Sequence, residues 1–506
     1  MIFLSGQTIN LADLQPLFDG PTKLKVSREV KASIVNSRKV LEKRLSSGET
    51  IYGVNTGFGA LSQHKIDNND LERLQLNLVR SHSAGVGPKF DEGITRSILF
   101  LKILNFSLGY SGVRWEVPSL IRECLNHDIL PVIPSQGSVG ASGDLAPLSH
   151  LAHSLIGEGR VTFRGRECGA SKAMKTCGLQ PLKLKAKEGL SLLNGTQVST
   201  ALAAEGLLRM ENLLKSADLI SAISVEATLS SRNVFKPAVH RLKRHRGQID
   251  CATNIWNCLK GSQIVKSHEG CYSVQDPYSF RCIPQVHGAC RETWESARRI
   301  AENEINSVSD NPLVISDSIG ILNSGHFHAE AVGQSSDSLA VAASELGGIS
   351  ERRIYRMMKG KDVSASPFLA GKPGLESGYM MAQITAASLV SENKSLSFPA
   401  SVDSITTENG QEDFVSMAPI AGRKLLRIIG NLEKVLAIEL IVATHLLDLR
   451  RPLQPAPITK LLRERIRRSI PFKENDRILT PEINLAVELI RDRLLVSSVN
   501  SKIRLR

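Results

Sequence analysis

Apolar residues recur along this chain at helical steps. Val26, Val30, Ile34, Leu41 and Leu45 share one face, and Ser46-Ser47-Gly48 closes the run. Leu339, Ala343, Leu346 and Ile349 repeat by fours and threes, as do Leu425, Ile428, Leu432, Val435, Leu436, Val442 and Leu446. Stripes this long read as buried seams between packed helices. Strand character is brief, at Ile2–Leu4, Val161–Phe163 and Leu313–Ile315. The pattern predicts a mainly α protein built on a long-helix bundle. A composition shift near residue 200 suggests an N-terminal domain, 1–200, and a C-terminal helical bundle domain, 201–506. Glycine interrupts the helical pattern twice, in Tyr52-Gly-Val-Asn-Thr-Gly-Phe-Gly59 and in Pro134-Ser-Gln-Gly-Ser-Val-Gly-Ala-Ser-Gly-Asp144. In a helical protein such loops carry function more often than the helices do.

Composition changes the picture little. The 506 residues are 42% hydrophobic and 22% charged, which excludes wholesale disorder and fibrous classes. The net charge of +13 is spread over Arg241–Arg246, Arg463–Arg468 and the last residues, so it reads as solvated faces and subunit contacts rather than a nucleic-acid footprint. Cysteines at 124, 168, 177, 251, 258, 271, 282 and 290 form no C-x-x-C pair and read as reduced thiols. The first residues have no basic stretch ahead of an apolar run, so no signal peptide is expected. Val435–Leu449 is broken by Glu439, His445 and Asp448, too polar for a membrane span. The expectation is a soluble, cytoplasmic protein.

The 137–144 loop admits several readings. A phosphate-binding loop needs a lysine after its last glycine, and none follows Gly143. Gly140-Ala-Ser142-Gly143 is one residue short of a nucleophile elbow. The segment before the loop is too rich in proline for a Rossmann strand, and a plain turn stays possible. The remaining reading is backbone chemistry. The Gly143 nitrogen has no neighbouring Cβ to hinder it, and glycine tolerates the dihedrals needed to attack the Ala141 carbonyl. Closure of that five-membered ring with loss of two waters would turn Ser142 into an electron-poor methylidene.

Gly140-Ala-Ser-Gly-Asp-Leu-Ala-Pro-Leu-Ser-His150 resembles the signature of the aromatic amino acid ammonia-lyase family. Further matching segments are Tyr52–Gly59, Leu78–Gly87, Glu188–Thr196, Gln275–Gln285, Glu304–Pro312, Phe327–Glu330, Glu351–Arg353 and Gln411–Met417, so the resemblance covers nearly the whole chain. It implies a long-helix bundle of the ammonia-lyase/fumarase-aspartase-like type, with a smaller N-terminal region bearing the reactive loop. It implies that Ala141, Ser142 and Gly143 form a methylidene-imidazolone (MIO) electrophile, with no external cofactor. It also implies a homotetramer in which three subunits contribute to each active site.

The resemblance carries roles residue by residue. Tyr52 corresponds to the base that takes the β-proton, and its phenol should have a lowered pKa in the site. Arg281 corresponds to the ligand of the substrate carboxylate, where a guanidinium fork suits two oxygens. Asn194, Gln275, Tyr278 and Phe327 correspond to residues lining the substrate and the MIO; Asn194 and Tyr278 could donate to its carbonyl. His82 and Glu412 match the histidine-specific branch, and a carboxylate can accept from an imidazole N–H, which a phenyl ring lacks. The resemblance therefore implies conversion of L-histidine to trans-urocanate and ammonia, the first step of histidine degradation. The alternative is a tyrosine or phenylalanine ammonia-lyase or aminomutase on the same scaffold. Ser-Gly-His326, Phe414, Glu376 and Tyr379 depart from the common pattern. Neither His326-Phe-His328-Ala-Glu330 nor His150-Leu-Ala-His153 completes a metal-ligand set, so no metal is expected. A non-catalytic, basic assembly or nucleic-acid-binding protein that kept the fold is the reading from a different class.

Overall fold

The computed structural model describes residues 1–269 and 274–506; Cys271 lies outside them. It is mainly helical, with a few two- and three-stranded ribbons. Two compact units divide the chain. One comprises Met1–Glu205, Arg298–Asp337 and Pro399–Arg423; the other comprises Gly206–Ala297, Ser338–Phe398 and Lys424–Arg506.

The three helical stripes fold as expected. They form Arg28–Ser46, Glu330–Met357 and Ala418–Asp448. Val26 belongs instead to a short strand, because the Ser27 hydroxyl accepts the Val30 N–H and starts the helix after it. Leu425, Ile428, Leu432, Val435, Leu436, Val442 and Leu446 are all buried. The three expected strands appear at Ile2–Leu4, Arg160–Phe163 and Leu313–Ser316. Their partners, Leu24–Val26, Leu130–Pro131 with Arg166–Gly169, and Gly320–Leu322, were not foreseen.

In the first unit, the helix Leu145–Leu155 follows directly from the glycine-rich loop and packs against Glu188–Leu193 and Leu71–His82. Glu92–Ser107 is buried from Ile94 to Ser107, so its Lys102 has no route to water. A core of Leu41, Ile51, Val54, Leu71, Ala186 and Val314 supports the Tyr52 loop from below. The helix Leu71–His82 also reaches the Tyr52 loop, its Gln75 amide donating to the Gly53 carbonyl at 3.0 Å.

The second unit ties its helices with buried ion pairs. Glu439 takes a forked pair of hydrogen bonds from Arg353, at 2.6 and 2.8 Å, and further donors from Ser224 and Ser350. Asp448 receives Arg463 and Arg467 at 2.5 and 2.6 Å. Part of the basic 463–468 run is thus structural. Among the described residues no cysteine is paired in a disulfide, and no helix is long and apolar enough to cross a membrane.

Removing one partner of a fully buried ion pair strands the other charge. Arg353→Ala should therefore cost about 3–5 kcal/mol, read as a lower urea midpoint; an unchanged midpoint would contradict a stabilising role for the pair.

Candidate functional site

The glycine loops are held by backbone geometry before any side chain acts. Gly140 and Gly143 have φ of 74° and 77°, values that favour glycine. A Cβ on Gly143 would lie 2.3 Å from the Gly195 carbonyl oxygen, so the two backbones touch. The Asp144 N–H donates to that same carbonyl at 2.8 Å. The Ser138 hydroxyl accepts from Gly140 N–H at 3.1 Å and donates to the Gly143 carbonyl at 3.3 Å. From the other side, the Met417 N–H donates to the Val139 carbonyl and the Ser416 hydroxyl to that of Gly140. Asp144 anchors the loop by accepting from Ser199 N–H and Oγ at 2.8 and 2.7 Å. Complete burial pushes its carboxyl up to about 6, against those hydrogen bonds.

Around this loop lies a cavity of about 760 Å³, formed wholly by the first unit. Tyr52, His82, Ala141, Ser142, Asn194, Phe327 and Glu412 line it together. Gly143 is buried beneath them. Asn194 donates its side-chain amide to the Ser142 carbonyl at 2.9 Å. The Ser142 hydroxyl donates to Glu412 Oε1 at 2.6 Å, while Thr407 Oγ1 donates to Glu412 Oε2 at 2.7 Å. Tyr52 Oη accepts from the Gly59 N–H at 3.0 Å, which fixes the phenol above its own glycine loop. Gln275, Tyr278 and Arg281 belong to the second unit and are not among the lining residues. Gln275 and Arg281 line a different cavity, with Arg232 and Trp256, and Tyr278 is 69% exposed.

Electrostatics corrects one expectation. Burial pushes the Tyr52 phenol up, not down, and the carboxylates of Glu408 and Glu412 push the same way against the Gly59 N–H. Among the described residues no cation is a leading influence on this phenol. His82 is lowered by its burial, despite the Leu78 carbonyl and Glu412. Its Nδ1 lies 3.0 Å from both the Leu78 carbonyl and the Ser81 hydroxyl, which hold the ring in place.

Two functional-looking residues escaped the sequence reading. Glu408 lines the cavity, and its carboxyl occupies the space where a Cβ on Gly59 would stand. Burial and the charge of Glu412 raise its pKa. Lys102 is wholly buried behind the loop and donates to the Asn194 carbonyl at 2.7 Å. Burial pulls it down to about 7, opposed by Asp310. A lone lysine inside the apolar run Ile98–Phe106 was the available signal.

The departures from the family pattern separate by position. Phe414 lines the cavity and stacks on His328 at 6.2 Å between ring centres, whereas Tyr379 is buried in the second unit, accepting from Arg477 at 2.7 Å. His150 accepts from the Gly85 N–H at 3.1 Å, a loop support rather than a ligand. Asp218, Cys251 and His287 bring ligand atoms within 4.8 Å of one another, but Arg291 already holds Asp218 at 2.5 Å.

A family profile described as aromatic amino acid lyase matches residues 9–468. The chain is 45% identical to the histidine ammonia-lyase of Vibrio cholerae over 484 residues, covering 96% of this chain and 95% of that one. Its fold matches the crystal structure of histidine ammonia-lyase from Trypanosoma cruzi, with TM-score 0.92, 36% identity, and 99% and 95% of the two chains covered. It matches tyrosine aminomutase from Streptomyces globisporus with TM-score 0.94, 33% identity and full coverage of both.

The phenol raised by its surroundings is directly measurable. Difference titration of the unliganded protein against Tyr52→Phe should show the missing tyrosine ionising above the ordinary value of about 10; ionisation below it would contradict the acidic setting described.

Proposed function

Since the chain belongs to the aromatic amino acid lyase family, whose profile spans most of its length, we propose that it deaminates L-histidine to trans-urocanate and ammonia. The observation that carries this reading is the joint placement of Ser142, Asn194, Tyr52, His82 and Glu412 around one cavity. Relatives that are histidine ammonia-lyases support the substrate.

Ammonia is a poor leaving group and the β-proton of an amino acid is barely acidic, so ordinary side chains cannot start this reaction unaided. A methylidene-imidazolone made from Ala141, Ser142 and Gly143 would supply the missing electrophile, without an external cofactor. The loop fits that group: two left-handed glycines, a Gly195 backbone in contact with Gly143, and an amide donor at the Ser142 carbonyl all favour a tightly bent Ala-Ser-Gly.

The other residues bind, orient and move protons. Glu412 accepts an imidazole N–H, and His82, its pKa lowered by burial, lies in the same cavity. The acidic pair Glu408 and Glu412 favours a substrate carrying an ammonium group. That positive charge also lowers the Tyr52 phenol once substrate is bound, which gives the base its strength when it is needed. Asn194 steadies the loop carbonyl, and Phe327 limits the apolar side of the cavity. Gln275, Tyr278 and Arg281 act from neighbouring copies in a homotetramer, Arg281 holding the substrate carboxylate in its fork and Tyr278 donating near the loop. The enzyme works in the cytoplasm, at the head of histidine degradation, without a metal, a membrane or nucleic acid.

Incubation with L-histidine, L-tyrosine and L-phenylalanine, followed by the absorbance of the corresponding acrylate, tests the reading. Histidine should be turned over fastest; turnover of tyrosine beside inert histidine would favour the aminomutase-like alternative. Ser142→Ala should lose nearly all activity while keeping its helical signal, and normal turnover would refute the loop chemistry. His82→Leu should lower kcat/KM for histidine roughly a hundredfold, with a smaller loss for phenylalanine; equal losses would remove His82 from recognition.

A further inference from the structure

The Ser142–Glu412 hydrogen bond points to a task for Glu412 before any substrate arrives. We propose that Glu412 carries the proton that lets the Ser142 hydroxyl leave as water during formation of the reactive loop. This rests on the methylidene-imidazolone reading above.

The geometry supports it in three ways. The 2.6 Å separation between Ser142 Oγ and Glu412 Oε1 suits proton transfer in either direction. Glu412 cannot easily swing away, because Thr407 Oγ1 holds its other oxygen at 2.7 Å and the Thr407 and Glu412 backbones pair with each other. Thr407 N–H donates to the Glu412 carbonyl at 2.8 Å, closing a tight turn that includes Glu408, Asn409 and Gly410, all with positive φ. That turn brings two carboxyl groups, Glu408 and Glu412, to the lining of one cavity.

The step balances as a dehydration. After Gly143 N has bonded to the Ala141 carbonyl carbon and the first water has left, a proton departs from Ser142 Cα and its C–H electron pair becomes the new Cα=Cβ bond. The Cβ–Oγ bond breaks, and its electron pair leaves on oxygen, which already carries one hydrogen. Glu412, as a carboxylic acid, gives the second hydrogen, and water departs. One proton from the cavity solvent, equal to the one lost at Cα, restores the acid. No oxidant or reductant is required.

A consequence for the finished enzyme follows. With the hydroxyl gone, Glu412 Oε1 loses its intramolecular donor and becomes free for a substrate N–H, so the chemistry that makes the electrophile also opens the specificity group.

Intact-mass measurement of freshly purified protein tests this, with peptide mapping of the 137–144 loop. The wild type should be short by two waters. Glu412→Gln keeps the size and the acceptor but transfers no proton, so it should be short by only one water, closed but not dehydrated. Glu412→Asp, which retains a carboxyl group, should move back towards two. A folded Glu412→Gln protein short by two waters as fully as the wild type would overturn the proposal and leave the loop chemistry standing. A wild type short of none would instead refute the loop reading, and this proposal with it. If Glu412→Gln does not fold, Glu412→Ala read in the same way decides between one water and two.

Discussion

The contact between the Gly143 and Gly195 backbones is the constraint on which the site depends. A side chain at position 143 would strike the Gly195 carbonyl, so a glycine at 143 permits the approach, while a Cβ on Gly195 would instead meet the Gln197 side chain. The contact joins the glycine-rich 137–144 loop to the start of the long Gln197–Ala227 helix, and Asp144 strengthens it from both its N–H and its carboxyl group. Everything chemical in the cavity is measured from that fixed point. Asn194 reaches Ser142 because it immediately precedes Gly195, and Lys102 secures Asn194 in turn from inside the core.

Charge is distributed to match. Acidic groups face the cavity, with Glu408 and Glu412 on one turn and Tyr52 nearby. Two lysines, Lys102 and Lys187, are buried behind the loop near Asp310, and burial lowers the pKa of both. An isolated phenol in this setting is a poor base, and an amino acid that brings its own ammonium group changes that. In the proposed reaction the phenol would thus stay protonated until an amino acid binds.

Much of this was legible in the sequence, for physical reasons that differ between residues. The long helices announced themselves because their seams repeat over many turns, and Leu425 to Leu446 are buried as that repeat implies. Ser142 stood out because Ala-Ser-Gly is an unusual chemical object as well as a turn. The pairing of Ser142 with Glu412 spans 270 positions and leaves no local trace. Strands such as Val86–Lys89 and Pro134–Gln136 carry glycine and proline and no alternation, so nothing in their pattern signalled a sheet. The direction of the Tyr52 shift was misjudged because the sequence names the residues around a phenol but not how deeply they bury it. Glu408 escaped because its position depends on three successive left-handed residues, Glu408, Asn409 and Gly410, of which only one is a glycine.

The most direct test is a crystal structure of the assembled protein at a resolution that separates individual atoms in the 141–143 segment. The account predicts continuous density for a flat five-membered ring, carrying an exocyclic carbon where the Ser142 side chain stood and its carbonyl facing Asn194. An open backbone with an intact serine hydroxyl, in material that is active on histidine, would contradict it.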